Sequence, residues 1–303
     1  TKSGTYTITY KECESLNPSS NCQTQTVVIS VGSASLTVVS ETLTVTPSTS
    51  TQTTPSILDN DSIGGVTTPT AGPGGNVTMT FHNPSGSKVP TMDPNTGKVT
   101  VPGNIPAGNY TITYNYCEVL NPTNCTGTRT VVVTVGAATL TVASDTFTVG
   151  NGVTTQTAGN ILTNDNLGGN TPIAGPTGSV TITVVTPATP IGGGKTPTLD
   201  VNTGIVTVPA GTKSGTYTIT YKECETLNPS SNCQTQTVVI SVGSASLTVV
   251  SETLTVTPST STQTTPSIFD NDSIGGVTTP TAGPGGNVTM TVHNPSGSKV
   301  PTM

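Results

Sequence analysis

The chain repeats itself, and a repeat limits the fold to something that can be built again and again from one unit. Residues 1–32 return at 212–243 with one difference, Ser15 in the first copy against Thr226 in the second. The match continues to the end of the chain, so the long period is 211 residues. A weaker copy lies between, where PAGNYTITYNYCEVLNPTNC at 106–125 aligns with the same block. Tyr6, Tyr110 and Tyr217 mark equivalent points. Each copy closes on a short VxVG segment, at Gly32, Gly136 and Gly243, which sets module boundaries. The expected division is a C-terminal part at 1–32, complete modules at 33–136 and 137–243, and an N-terminal part at 244–303. The chain reads as a window on a longer array. The alternative is that its two half-modules complete each other between chains by strand donation.

Modules of 104 and 107 residues can each bury a private core. The apolar pattern has period two, with no helical stripe. Tyr110, Ile112 and Tyr114 alternate with Thr111, Thr113 and Asn115, and Val131, Val133 and Val135 repeat the pattern after the next turn. These two segments, 108–117 and 128–135, predict a hairpin with one face inward. Further strands are expected at 35–39, 42–46, 77–82 and 98–102, separated by turn sequences such as Pro73-Gly74-Gly75 and Asp93-Pro94-Asn95-Thr96-Gly97. About seven strands per module predict an all-β fold of tandem immunoglobulin-like β-sandwiches. The linkers hold no Ser/Gly or Pro-rich tract, so the modules are expected end to end as a stiff rod.

The six cysteines fall in three close pairs, Cys13/Cys22, Cys117/Cys125 and Cys224/Cys233, each around a Leu-Asn-Pro turn. No His or further Cys stands near them in sequence, so each pair is expected to form a disulfide, in an oxidising compartment. Charged residues make up only 8% of the chain and the net charge is −6. That surface offers no basic footprint for nucleic acid or anionic lipid. No apolar run is long enough for a membrane span.

The string GTYTITYxxCExLNPxNC, the VGxAxLTV opening and the ILxND-x-IGG segment resemble repeats of giant surface adhesins from gliding and biofilm-forming Bacteroidetes, the SprB type. The resemblance spans every module. It implies secretion to the bacterial cell surface, tandem β-sandwich repeats and a role in adhesion or gliding motility. Its partners would be neighbouring modules of the same chain and other copies in a fibre.

Catalysis fails on inventory. His82 and His293 are one position in two copies, Val185 occupies it in the other complete module, and no nucleophile–base set accompanies them. Calcium is the cofactor to weigh. Asp59 and Asp61, with counterparts Asp165, Asp270 and Asp272, precede a Gly-Gly turn, and Glu41, Asp145 and Glu252 follow the joints. Oxygen ligands from these loops could clamp a joint around Ca²⁺. The competing expectation is that they are turn formers, like Asp93/Asn95 and Asp200/Asn202, whose side chains bond nearby amides. Ser62 and Ser273 stand in Asp-Ser-Ile triplets of the kind that Bacteroidetes glycosylate, and Asn76 and Asn109 fit the N-linked sequon. Outward Thr rows, such as Thr7/Thr9 and Thr111/Thr113, leave a lectin-like or ice-binding face as the second functional reading.

Overall fold

A computed structural model describes residues 1–297 and 301–302. Its regular elements among the described residues are strands and one short 3-10 turn at Ile161–Asn164. Among the described residues no helix is long and apolar enough to cross a membrane. By internal contacts the chain divides into two units, Thr1–Ala138 and Thr139–Met303.

In the first unit, four strands form one sheet in the order Glu41–Val45, Arg129–Val135, Gly108–Glu118, Val77–His82. The edge strand Glu41–Val45 runs parallel to Arg129–Val135, and the other pairs are antiparallel. Gln52–Ser56, Lys98–Val101 and Thr91–Met92 form the facing sheet. The second unit repeats this plan. Its larger sheet runs Asp145–Val149, Cys233–Val242, Gly215–Glu225, Val180–Thr186, and its smaller one Gln156–Asn160, Ile205–Val208, Thr198–Leu199. Four strands over three, with the first strand parallel to the last, is an immunoglobulin-like β-sandwich.

Alternation along the strands makes each core. Ile112, Tyr116, Val131 and Val133 are fully buried, with Tyr114 nearly so, against Val99, Val101 and Ile57 from the other sheet. Tyr217, Ile219, Tyr221, Val238 and Ile240 play those parts in the second unit, against Ile161, Val206 and Val208. One apolar core lies within residues 33–136 and the other within 137–243. A tyrosine near the start of each long strand bonds back four residues: Tyr110 to the carbonyl of Pro106 and Tyr217 to that of Lys213, both at 2.8 Å, and Tyr6 to that of Lys2 at 2.9 Å. A tyrosine corner of this kind pins the strand entry in immunoglobulin-like folds.

The two segments expected at 35–39 and 42–46 fall in different sheets. Leu36–Thr37 joins a small sheet with Ser62–Ile63 and Val66–Thr67, and the chain then crosses to the larger sheet as Glu41–Val45. Gln52–Ser56 is a strand that periodicity does not reveal. It carries Pro55, and its one buried side chain is Thr54, whose hydroxyl oxygen accepts the Val99 N–H at 3.1 Å.

The same sequence meets two fates. The hairpin Gly4–Cys13 with Cys22–Val31 has the register of Gly215–Glu225 with Cys233–Val242, yet Ile8 is 54% exposed where Ile219 is 1%. Residues 252–256, equivalent to Glu41–Val45, are not in a strand.

Candidate functional site

Three disulfides close the hairpin tips: Cys13–Cys22, Cys117–Cys125 and Cys224–Cys233, with Cα separations of 4.1, 4.0 and 4.1 Å. In each pair the two cysteines face each other across the strands, which is what brings the thiols together. The loop they close is organised by a glutamate that its spacing did not single out. Glu118 Oε1 accepts from Asn121 Nδ2 at 2.7 Å, and its Oε2 from Asn124 Nδ2 at 3.0 Å. Glu225 takes the amides of Asn228 and Asn232 at 2.7 and 2.6 Å, and Glu14 those of Asn17 and Asn21 at 2.8 and 2.7 Å. The amides of Asn121, then Asn124, hold the Glu118 carboxyl below its ordinary range, so it stays ionised. The signal was present in the sequence as a Glu and two Asn recurring at near-constant offsets in all three copies.

The acids weighed for calcium are placed differently. Asp61, Asp165 and Asp272 each turn inward and accept a backbone N–H from twenty-two residues earlier: Val39 at 2.8 Å, Ala143 at 2.7 Å and Val250 at 2.8 Å. That bond ties the crossing segment to the small sheet, a structural duty. Asp59 accepts the Ser56 N–H, and Asp270 is exposed. Asp93 and Asp200 accept bonds from Asn95 and Thr96, and from Asn202 and Thr203, inside their own turns. Among the described residues no group of three or more His, Cys, Asp or Glu side chains is placed to hold a metal ion.

Glu41, Asp145 and Glu252 sit beside these inward aspartates' modules as half-buried or buried acids. Burial, with the Asp61 and Asp59 charges behind it, raises Glu41 to about 7. Burial raises Asp145 to about 6, against the pull of the Tyr221 hydroxyl, which donates to it at 3.2 Å. The second unit adds a third acid, Glu223, fully buried, at the position that Tyr116 holds in the first.

The remaining candidates are scattered. His82 is exposed at the end of its strand opposite Thr113, and His293 is exposed too. Ser62 and Ser273 are half-buried within short strands. Asn76 accepts the Thr70 N–H, and Asn109 the Thr134 hydroxyl. A shallow cleft of about 320 Å³ beside Asn160, Ile173 and Asn202 has no titratable side chain in its lining.

No known family model matches the chain, and no curated protein matches it significantly. Solved structures do match. Mouse cadherin-23 EC22–24 is similar at 12% identity and a TM-score of 0.27, covering 78% of this chain and 74% of that one. Mouse clustered PcdhgC3 EC1–3 is similar at 12% identity and 0.29, covering 80% and 78%. An endo-fucoidan hydrolase of glycoside hydrolase family 107 reaches 15% and 0.26, covering 80% of this chain and 34% of its own. Likeness of this degree embraces adhesion repeats and a hydrolase alike, and it assigns no activity.

Proposed function

We propose that this chain is part of a secreted tandem-repeat stalk or filament of a bacterial surface adhesin, serving adhesion or gliding by its length and strength and not by catalysis. The observation that carries the reading is that two sandwiches, each with its own core, are joined by only a few residues and belong to a pattern that recurs after 211 residues. Repetition of this kind extends a chain without new chemistry. Three disulfides and no free cysteine among the described residues suit an oxidising, extracellular setting. Calcium is not part of this proposal; Asp61, Asp165 and Asp272 each give one carboxylate oxygen to a backbone N–H.

Negative-stain images of the native cell-surface material, labelled with antibody against this chain, test it. The expected result is thin labelled fibres beaded every 35–45 Å or so, the length of a strand of about ten residues with its loops. Label confined to compact particles or to the cell interior would overturn it.

A second reading rests on the outer face of the larger sheet. There Thr42 and Thr111 flank Val132, and Thr44 flanks Thr134, so hydroxyls and methyls alternate in rows. Such a face could meet glycan or ice, and glycan-array or ice-affinity binding by the whole chain separates this role from the mechanical one.

A further inference from the structure

The tip loop Cys117–Cys125 does more than close its own hairpin. Glu118 and Asn121 are each only 7% exposed, and the segment that enters from the preceding module bonds to both. Glu118 Oε2 accepts the Ala34 N–H at 3.2 Å, and Asn124 Nδ2 donates to the Ala34 carbonyl at 2.7 Å. Both polar groups of one joint residue are therefore read by one loop. Asn121 Oδ1 accepts the Ser3 N–H at 2.6 Å and also the Ser3 hydroxyl. Ser3 and Ala34 flank the two ends of the hairpin Gly4–Val31, so the loop of one module holds the base of the hairpin before it at two points.

We infer that the Cys-clamped loop is a docking socket whose partner is the C-terminal hairpin base of the preceding module, with Glu118 and Asn124 gripping the joint peptide at Ala34 and Asn121 gripping Ser3. This rests on the tandem-repeat reading above and names the partner surface within it.

Three features fit a built socket. Glu14 draws in Asn17 and Asn21 although the loop Glu14–Asn21 is exposed, so the loop takes its shape without a docked partner. A receptor shaped in advance loses little freedom on docking. Three of the four bonds go to backbone groups of the partner, the Ala34 N–H and carbonyl and the Ser3 N–H, so most of the grip does not depend on the partner's side chains; the Ser3 hydroxyl adds the fourth. The tip and the base of a ten-residue hairpin are also about 30 Å apart. A surface at the tip that fits a surface at the base is head-to-tail, and head-to-tail contacts that do not close generate open arrays.

Amide exchange followed by NMR on the whole chain tests this, with Asn121→Ala and Glu118→Ala compared against the unaltered protein. The Ala34 and Ser3 amides are expected to be protected in the unaltered chain. Asn121→Ala should speed exchange of Ser3 at least tenfold while sparing Ala34. Glu118→Ala should speed both. Amides of Val131 and Val133 should stay protected throughout, which reports that the module itself remains folded. Ala34 and Ser3 exchanging at free-chain rates in the unaltered protein, or unmoved by both substitutions, would overturn the socket. Loss of protection at Val131 and Val133 in the unaltered chain would instead sink the module reading beneath it.

Discussion

Between pH 5 and pH 8 the second sandwich, residues 137–243, is expected to lose stability, on the order of 3 kcal/mol, with a fall in melting temperature of roughly 10 °C or more. The cause is the carboxyl group on Glu223, whose two oxygens are buried with no hydrogen-bond donor facing them. The Asp165 carboxyl lies beside it, with one oxygen taken up by the Ala143 N–H and the other also lacking a donor. The first sandwich shows what the position requires. There Tyr116 stands in place of Glu223 and Asp61 in place of Asp165, so an uncharged hydroxyl stands where the second sandwich has a carboxyl. A glutamate can fill that role only while protonated.

Burial, then the charges of Asp165 and Asp145, raises Glu223 to about 8. The other groups facing it are Tyr221 on its own strand and the uncharged Ile182 and Gln234 opposite; Lys222 points to the other side of the sheet and is exposed. The folded state thus binds a proton more tightly than the unfolded chain, where a glutamate titrates near 4.3. Stability from this proton is complete below the unfolded value and disappears as pH rises through about 8, at up to about 1.4 kcal/mol per pH unit. Glu223→Gln keeps the shape and supplies a permanent donor. It should make the sandwich more stable than the unaltered protein at pH 8 and flatten the slope, leaving the smaller part due to Asp145. Calorimetry at pH 5 and pH 8 reads both. Equal melting temperatures at the two values, or an undiminished slope in Glu223→Gln, would contradict this account.

The second large effect comes from two isoleucines of the second sandwich, one buried and one exposed. Ile219→Ala should destabilise its sandwich by about 2–5 kcal/mol, because the removed atoms leave a cavity among Tyr217, Tyr221, Val238 and Ile240. Ile173→Ala, in the same sandwich, removes a side chain that is 68% exposed and should change stability by less than about 0.5 kcal/mol. Denaturant melts of the two variants should therefore differ severalfold in effect. Similar losses from both would mean that Ile219 is no part of a packed core.

How much of this was legible in the sequence varied with the kind of signal. Tyr110, Ile112 and Tyr114, then Val131, Val133 and Val135, announced their strands because a half-buried strand writes its facing in alternation. Gln52–Ser56 wrote nothing, since Thr54 meets the core through a hydroxyl and no apolar residue marks the inward side. The aspartates of the Asn-Asp segments looked like exposed loop acids. Their frame of Ile57, Leu58 and Ile63, all buried, was the clue that Asp61 would be drawn inward as well. The pairing of residues 165 and 223 could not be read at all, because only the closed sandwich brings those stretches together. The socket lay between these extremes: Glu118, Asn121 and Asn124 recur visibly, but their hold on Ser3 and Ala34 requires a contact over more than eighty residues of chain.

Hydrogen exchange of the whole chain at rising denaturant, read by mass spectrometry, tests the claim of separate cores most directly. Residues 33–136 and 137–243 should each open as one cooperative set, at different denaturant concentrations, with Ile219→Ala advancing the second set and leaving the first in place. Both sets opening together, and both advancing in Ile219→Ala, would contradict it.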